Sequence, residues 1–167
     1  MKFFYLKIPI IIALLVVTSC KKNSPNSTTE KAKNIIKEIK LKYAPDRRTA
    51  RFNASVTKKG KQLIIKGITT NKDALTDFKK QIDSSNIDIV DSLVLLPTED
   101  LKGKTGIINN SVSNIRSTKG DASEMATQAL LGTPVKILQK KGGWYMVQTP
   151  DKYIGWIYQS EMAIKDS

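Results

Sequence analysis

The sequence predicts an α+β chain, in which a small α-β-β-α-β domain precedes an all-β barrel. Apolar residues at helical spacing flank alternating strand patterns over residues 30–97. Short strand patterns separated by turn residues fill residues 103–165. Of the 167 residues, 40% are hydrophobic and 26% are charged, which is typical of a folded chain and argues against disorder.

A helix is the first predicted element of the α/β domain. Ser27 and Glu30 are three residues apart, which predicts a capping box at its start. Pro45 predicts its end, because proline cannot donate the backbone hydrogen bond that a helix interior requires. The apolar residues between them recur at helical spacing, at Ala32, Ile35, Ile36, Ile39 and Tyr43.

Two strands, a second helix and a third strand follow. Residues 50–57 alternate between apolar and polar side chains, and a turn at 58–61 leads into a second strand at Gln62–Ile68. Asn71 predicts the cap of a helix, and Ile87–Leu96 is apolar and β-branched enough to form a strand. The inner face of this helix is predicted to be Leu75, Phe78 and Ile82.

This α/β pattern is similar to a known family. Leu63–Ile68, followed by Asn71 and the strand Ile89–Leu93, resembles a BON-like domain over residues 30–97. The resemblance implies a small module that contacts membranes or other proteins.

The barrel is predicted from about five short strands. They are Gly106–Ile108, Ser113–Arg116, Val135–Leu138, Trp144–Gln148 and Tyr153–Ile157. The segments between them are rich in Gly, Pro, Ser and Asp, as turns require.

Four spaced motifs carry a second resemblance. They are Val112-x-Asn114-Ile115-Arg116, Leu131-Gly132-x-Pro134-Val135, Gly143-Trp144-Tyr145-x-Val147 and Tyr153-Ile154-Gly155-Trp156. In this order they resemble a bacterial SH3 (SH3b) domain, and Met125–Trp156 is similar to the SH3b domains that precede NlpC/P60 peptidase domains. Those enzymes cleave peptidoglycan stem peptides with a Cys/His pair. Only Gln159–Ser167 follow this barrel, so we expect the catalytic half to be absent.

The first twenty residues predict export and lipidation. Lys2 and Lys7 lie before an apolar run at Ile8–Val17. A basic start followed by an apolar run is typical of a secretory signal, here residues 1–19. Val17-Thr18-Ser19-Cys20 resembles a bacterial lipobox, which implies that Cys20 carries acyl chains. Residues 20–29 are predicted to be the lipidated Cys and a flexible tether. We therefore expect an envelope protein that faces the periplasm, on the inner or the outer membrane; the alternative is an uncleaved anchor with an incidental Cys.

The composition excludes several kinds of chemistry. The chain has no His and one Cys, so no Ser-His-Asp or Cys-His nucleophile, intrachain disulfide or Cys/His zinc site can form. We expect no enzyme activity, no metal and no cofactor. Residues 21–70 hold 14 basic and three acidic residues. This excess favours either attraction to anionic headgroups or a solvated surface, and the expected compartment makes nucleic acid an improbable partner.

An aromatic groove is the predicted binding site. Trp144, Tyr145, Tyr153 and Trp156 are concentrated in the barrel, and such side chains combine an apolar body with a hydrogen-bonding tip. Arg116 could grip a carboxylate of the ligand. The alternative is that the Trp rings cap the core and that Arg116 pairs with an acidic residue of the fold, for example Glu124 or Glu161.

These features predict a non-catalytic envelope lipoprotein whose SH3b domain binds peptidoglycan stem peptides or a wall-associated partner. The first alternative is a regulatory or targeting subunit of a separately encoded NlpC/P60-type cell-wall hydrolase. The second is a truncated remnant of such an enzyme.

Replacing Cys20 tests the predicted lipid anchor. In Cys20→Ser the thiol that would be acylated is gone, so we expect the protein to move from the membrane fraction to the soluble fraction. Immunoblotting of the two fractions measures this, with Ser19→Ala as the control that keeps the thiol. Retention of Cys20→Ser in the membrane fraction would contradict lipidation.

Overall fold

The computed structural model describes residues 25–60 and 62–165. The predicted signal peptide, residues 1–19, and Cys20 lie outside these residues. Within the described part of the chain, no helix is both long enough and apolar enough to cross a membrane.

The N-terminal domain consists of two helices and three strands. They are α1 (Pro25–Tyr43), β1 (Phe52–Lys59), β2 (Gln62–Thr69), α2 (Lys72–Ser84) and β3 (Ile89–Leu95). The sheet order is β1-β2-β3, with β1 antiparallel and β3 parallel to β2. The observed order is α-β-β-α-β; a relation to the BON family stays a prediction.

The start of α1 differs from the sequence-based expectation. Residues 25–29 were expected in the tether and are helical, so Ser27 lies inside the helix and does not cap it. Pro25 is the first helical residue, a position where the missing backbone N–H removes no hydrogen bond and the fixed φ suits the helix.

The cap of α2 is as predicted. The Asn71 side-chain oxygen accepts hydrogen bonds from the backbone N–H groups of Asp73, at 2.8 Å, and Ala74, at 3.1 Å. Phe78 and Ile82 of this helix are buried, while Leu75 is partly buried. Both helices pack on one face of the sheet, around a core that contains Ala32, Ile39, Phe52, Leu63, Ile65, Phe78, Ile82 and Leu93.

The C-terminal domain is all-β, apart from single-turn 3-10 helices at Glu99–Leu101, before its first strand, and at Gln159–Glu161. Its seven strands form one sheet in the order β10-β4-β7-β8-β9-β5-β6. They are β4 (Thr105–Ile108), β5 (Val112–Arg116), β6 (Met125–Leu130), β7 (Pro134–Lys141), β8 (Trp144–Gln148), β9 (Ile154–Tyr158) and β10 (Met162–Lys165). The core contains Ile108, Ile115, Val135, Ile137, Tyr145, Val147 and Ile157.

Two of these seven strands, β6 and β10, were not expected. Both lie at the ends of the sheet order. In β6 only Ala129 is buried and in β10 only Met162, so neither has the apolar alternation that marks a strand. The prediction of about five strands thus found those with a strong inward face.

The two domains share an apolar cluster. Its buried members are Leu96, Leu138, Met146, Ile154 and Trp156, with Ile68 and Trp144 packed against them. Three hydrogen bonds reinforce the contact: the Thr98 N–H donates to the Leu138 carbonyl, the Ile154 N–H to the Arg48 carbonyl, and Arg51 Nη2 to the Ile154 carbonyl. The domains are therefore held at a defined orientation.

Truncating the shared cluster should destabilise the whole protein. Leu138 is 2% exposed, so Leu138→Ala should lower the free energy of unfolding by about 2–5 kcal/mol, through lost burial and the cavity left behind. Urea unfolding checks this by far-UV circular dichroism and by Trp fluorescence, since both Trp residues touch the cluster. We expect the two probes to shift together.

Leu131→Ala is the matched control. Leu131 is 63% exposed, so its loss should change the free energy of unfolding by no more than about 0.5 kcal/mol. If Leu138→Ala separated the two transitions, or shifted neither, the cluster would not couple the domains.

Candidate functional site

A cleft lies between the two domains. Its cavity volume is about 620 Å³, within the range of about 300–1,000 Å³ that small-ligand sites occupy. Both domains contribute to its lining, so the shared apolar cluster sets its width.

The α/β domain supplies one wall of the cleft. Side chains alternate along a strand, so the residues of β1 and β2 that point away from the helices form an outer face. Asn53 and Ser55 of β1, with Lys66 and Ile68 of β2, reach the cleft from this face. The end of α1 and the following loop contribute Lys40, Ala44, Arg47, Ala50 and Arg51.

The β domain supplies the opposite wall. Met146 on β8 and Trp156 on β9 are register partners that point toward the α/β domain. Gln139 and Lys141 of β7 lie on the same side, because Gln139 is paired with Met146. The loop between β5 and β6 adds Ser117, Thr118 and Lys119.

The cleft is strongly basic. Six of its lining residues are cationic: Lys40, Arg47, Arg51, Lys66, Lys119 and Lys141. The described lining residues include no Asp or Glu. Of the six, only Arg47 has an ion pair within the described residues, at 3.2 Å from Glu124, and both of those side chains are largely exposed.

Arg51 is the most constrained of these cations. Its side chain is 8% exposed, and Nη2 donates to the Ile154 carbonyl at 2.9 Å. Nε is buried without a hydrogen-bond acceptor. Burial lowers the pKa of Arg51 and repulsion from Arg47 lowers it further, while the negative charge of Asp46 partly offsets both. The fold therefore holds a positive charge where solvent stabilises it poorly.

The predicted aromatic groove is divided between two faces. Trp156 lines the cleft, and Trp144 packs against the shared cluster, with its ring 5.4 Å from that of Tyr158. Tyr145 is 6% exposed and lies in the core of the β domain, with Lys140 over its ring. Consecutive strand residues point to opposite faces, so Trp144 and Tyr145 do not share a groove.

Tyr153 and Arg116 do not line the cleft. Tyr153 is half-buried in a turn, where its carbonyl accepts a hydrogen bond from the Thr149 N–H. Arg116 Nη1 donates to the Ser123 carbonyl at 2.9 Å, which ties down the loop that carries Lys119. Of the two acidic residues considered as its partner within the fold, Glu124 and Glu161, Glu124 instead pairs with Arg47.

Sequence reasoning did not single out the cations of this cleft. Lys66 and Lys141 sit in strands and Lys119 in a loop, far apart in the chain, and each looks like an ordinary solvated lysine. Only Arg51 could have drawn notice in the sequence, because it is a charged residue near the start of the alternating segment 50–57, directly before Phe52.

The side chains that line the cleft define the chemistry it can offer. Its described lining residues include no His, Cys, Asp or Glu, the side chains that most often transfer protons. No group of three or more metal-ligating side chains occurs in residues 25–60 and 62–165. The arrangement offers cations beside an apolar ring, which suits an anionic ligand with apolar parts.

Comparison with known proteins identifies the class of the second domain. Residues 115–161 match the model of the family described as the bacterial dipeptidyl-peptidase Sh3 domain. This segment runs from β5 to the 3-10 helix after β9, and includes Trp156 and the Lys119 loop. Residues 115–161 are therefore similar to a bacterial SH3 domain. No curated protein matches the chain.

Proposed function

We propose that this protein is a non-catalytic envelope lipoprotein that binds peptidoglycan stem peptides through its SH3 domain. The observation that carries this proposal is the position of Trp156. This residue lies within the segment that matches the SH3 family, and it lines the cleft of about 620 Å³. Domains of this family often bind cell-wall components.

The chemistry of the cleft favours a peptide over a purely apolar molecule. Trp156 offers an apolar face, while Asn53, Ser55 and Gln139 offer hydrogen-bonding groups on the walls around it. A short peptide needs this combination, because it presents amide groups at every residue and apolar side chains between them. The absence of proton-transferring side chains from the described lining supports binding over cleavage.

The proposed place of action is the outside of the cytoplasmic membrane, with acyl chains on Cys20 as the anchor. The signal-like residues 1–19 and the lipobox-like residues 17–20 support this. An anchored binding module would keep a membrane and the wall close together.

A second candidate is a subunit that docks on a separately encoded cell-wall hydrolase. The observation in its favour is an exposed apolar group at the β5–β6 edge: Val112, Met125, Leu130 and Leu131 are each between 49% and 63% exposed. Exposed apolar groups of this kind mark protein contacts. Co-purification with an NlpC/P60-type peptidase that is lost in Leu130→Lys would favour this candidate.

Filling the cleft tests wall binding without disturbing the core. Ser55 is exposed and lines the cleft, so Ser55→Trp should occlude it. We expect the affinity for purified sacculi, measured by co-sedimentation, to fall at least about tenfold, which corresponds to ~1.4 kcal/mol. The assay is run at ~0.05 M and ~0.5 M salt, since high salt suppresses non-specific cationic attraction.

Thr57→Trp is the control. Thr57 is exposed two residues along β1, so it lies on the same face, but it does not line the cleft. Its binding should match that of the unchanged protein. Binding that disappears at ~0.5 M salt, or that Ser55→Trp leaves intact, would contradict a wall site in the cleft.

A further inference from the structure

We propose that the cleft recognises carboxylates of an acidic peptide, with Lys66, Lys119 and Lys141 as the groups that contact them and Arg51 as the buried charge beneath. The ligand class rests on the proposed wall function. The charge of the site rests on the structure alone.

The first argument is the concentration of unpaired charge. Lys40, Lys66, Lys119 and Lys141 line one cavity and have no ion pair among the described residues. Residues 71–167, which supply Lys119 and Lys141, contain 12 basic and 12 acidic residues, so acidic side chains were available in that part of the chain. Acidic side chains are absent from the described lining of the cleft, so a bound anion would supply the counter-charge that these four lysines lack.

The second argument is the state of Arg51. It is more than nine-tenths buried and forms no ion pair among the described residues, and its Nε has no acceptor. Asp46, the acidic group whose charge reaches it, is already held by Arg48 through Nε and Nη2. A carboxylate in the cleft would offset the positive field that burial of Arg51 leaves uncompensated.

The third argument concerns shape. Lys119 Nζ lies 5.9 Å from the centre of the Trp156 ring, and the Arg116–Ser123 hydrogen bond holds its loop. The opposite wall is the outer face of the α/β sheet, where Asn53, Ser55 and Ile68 line the cleft. The site thus places cations beside an aromatic ring, which suits carboxylates next to apolar side chains.

A peptide fits this site better than a bilayer surface. The cations lie in a concavity between two domains and not on a convex face. A flat layer of headgroups cannot enter such a cavity, whereas a short, flexible chain can. The geometry therefore favours a free or cross-linked peptide.

The test uses charge-neutralising variants and a matched pair of peptides. The probes are a wall stem tetrapeptide with free carboxylates and the same peptide fully amidated, titrated by calorimetry into the full chain. The unchanged protein should bind the free-carboxylate form at least tenfold more tightly. Lys66→Gln and Lys141→Gln should each weaken that binding about fivefold and leave the amidated peptide unaffected.

Lys140→Gln is the matched control. Lys140 is adjacent in sequence to Lys141 and has the same charge, but it faces the other side of β7, over Tyr145. It should change the dissociation constant by less than twofold. All three lysines are exposed, so their loss should not unfold the protein.

Several outcomes would overturn the inference. Equal binding of the amidated peptide would do so, as would equal effects of Lys140→Gln and Lys141→Gln. Competition by inorganic phosphate or by anionic lipid vesicles at the peptide's own concentration would assign the site to another anion. If Ser55→Trp abolishes sacculus binding while the lysine variants bind the peptide normally, this inference fails and the wall function stands. If sacculi do not bind but the peptide binds with the expected charge dependence, the proposed wall function fails and this inference stands.

Discussion

The packing of β8 and β9 against the α/β domain determines most of what this protein can do. A strand has two faces, and here one face fills the core of the SH3 domain while the other is covered by Ile68 and Leu96. Leu138 joins this second face at a register irregularity in β7 between Ile137 and Gln139, as a bulge would allow. Because both faces of the central hairpin are buried, the two domains cannot turn independently, and the cleft beside them keeps its walls at a fixed separation.

The same packing explains why an arginine is buried at the edge of the cleft. Arg51 begins the path from the α1–β1 loop into β1, and its guanidinium crosses to the carbonyl of Ile154 in the other domain. The hydrogen bond helps to hold the interface, but it leaves Nε without a partner. A methionine of similar length would avoid this cost. Retaining a cation here makes sense if the charge itself has a use, and an anionic ligand provides one.

Much of the fold could be predicted because an element with one apolar face shows a periodic pattern of apolar residues in the sequence. The helix at Lys72–Ser84 has a capping Asn71 and buried residues at helical spacing, and the sequence indicated both. The early start of α1 could not be predicted in this way, since Pro25–Thr29 is polar and resembles a linker. The edge strands β6 and β10 were missed because each buries a single apolar side chain.

The cleft could not be predicted, because it forms only when the chain folds. Trp156 and Lys66 are 90 residues apart, and no local pattern relates them. The separation of Trp144 from Tyr145, by contrast, follows from strand alternation and was within reach of the sequence.

The helical start at Pro25 limits how far the cleft can lie from Cys20. Four residues separate Cys20 from Pro25, and they can span at most ~18 Å. From Pro25 the helix rises 1.5 Å per residue, so Lys40 at the cleft lies about 22 Å from its beginning. With Cys20 acylated as proposed, the cleft could lie no more than roughly 40 Å from the lipid, and the helix would account for about half of that reach. A change in the length of α1 would therefore change the largest distance from the membrane at which the cleft could meet its ligand.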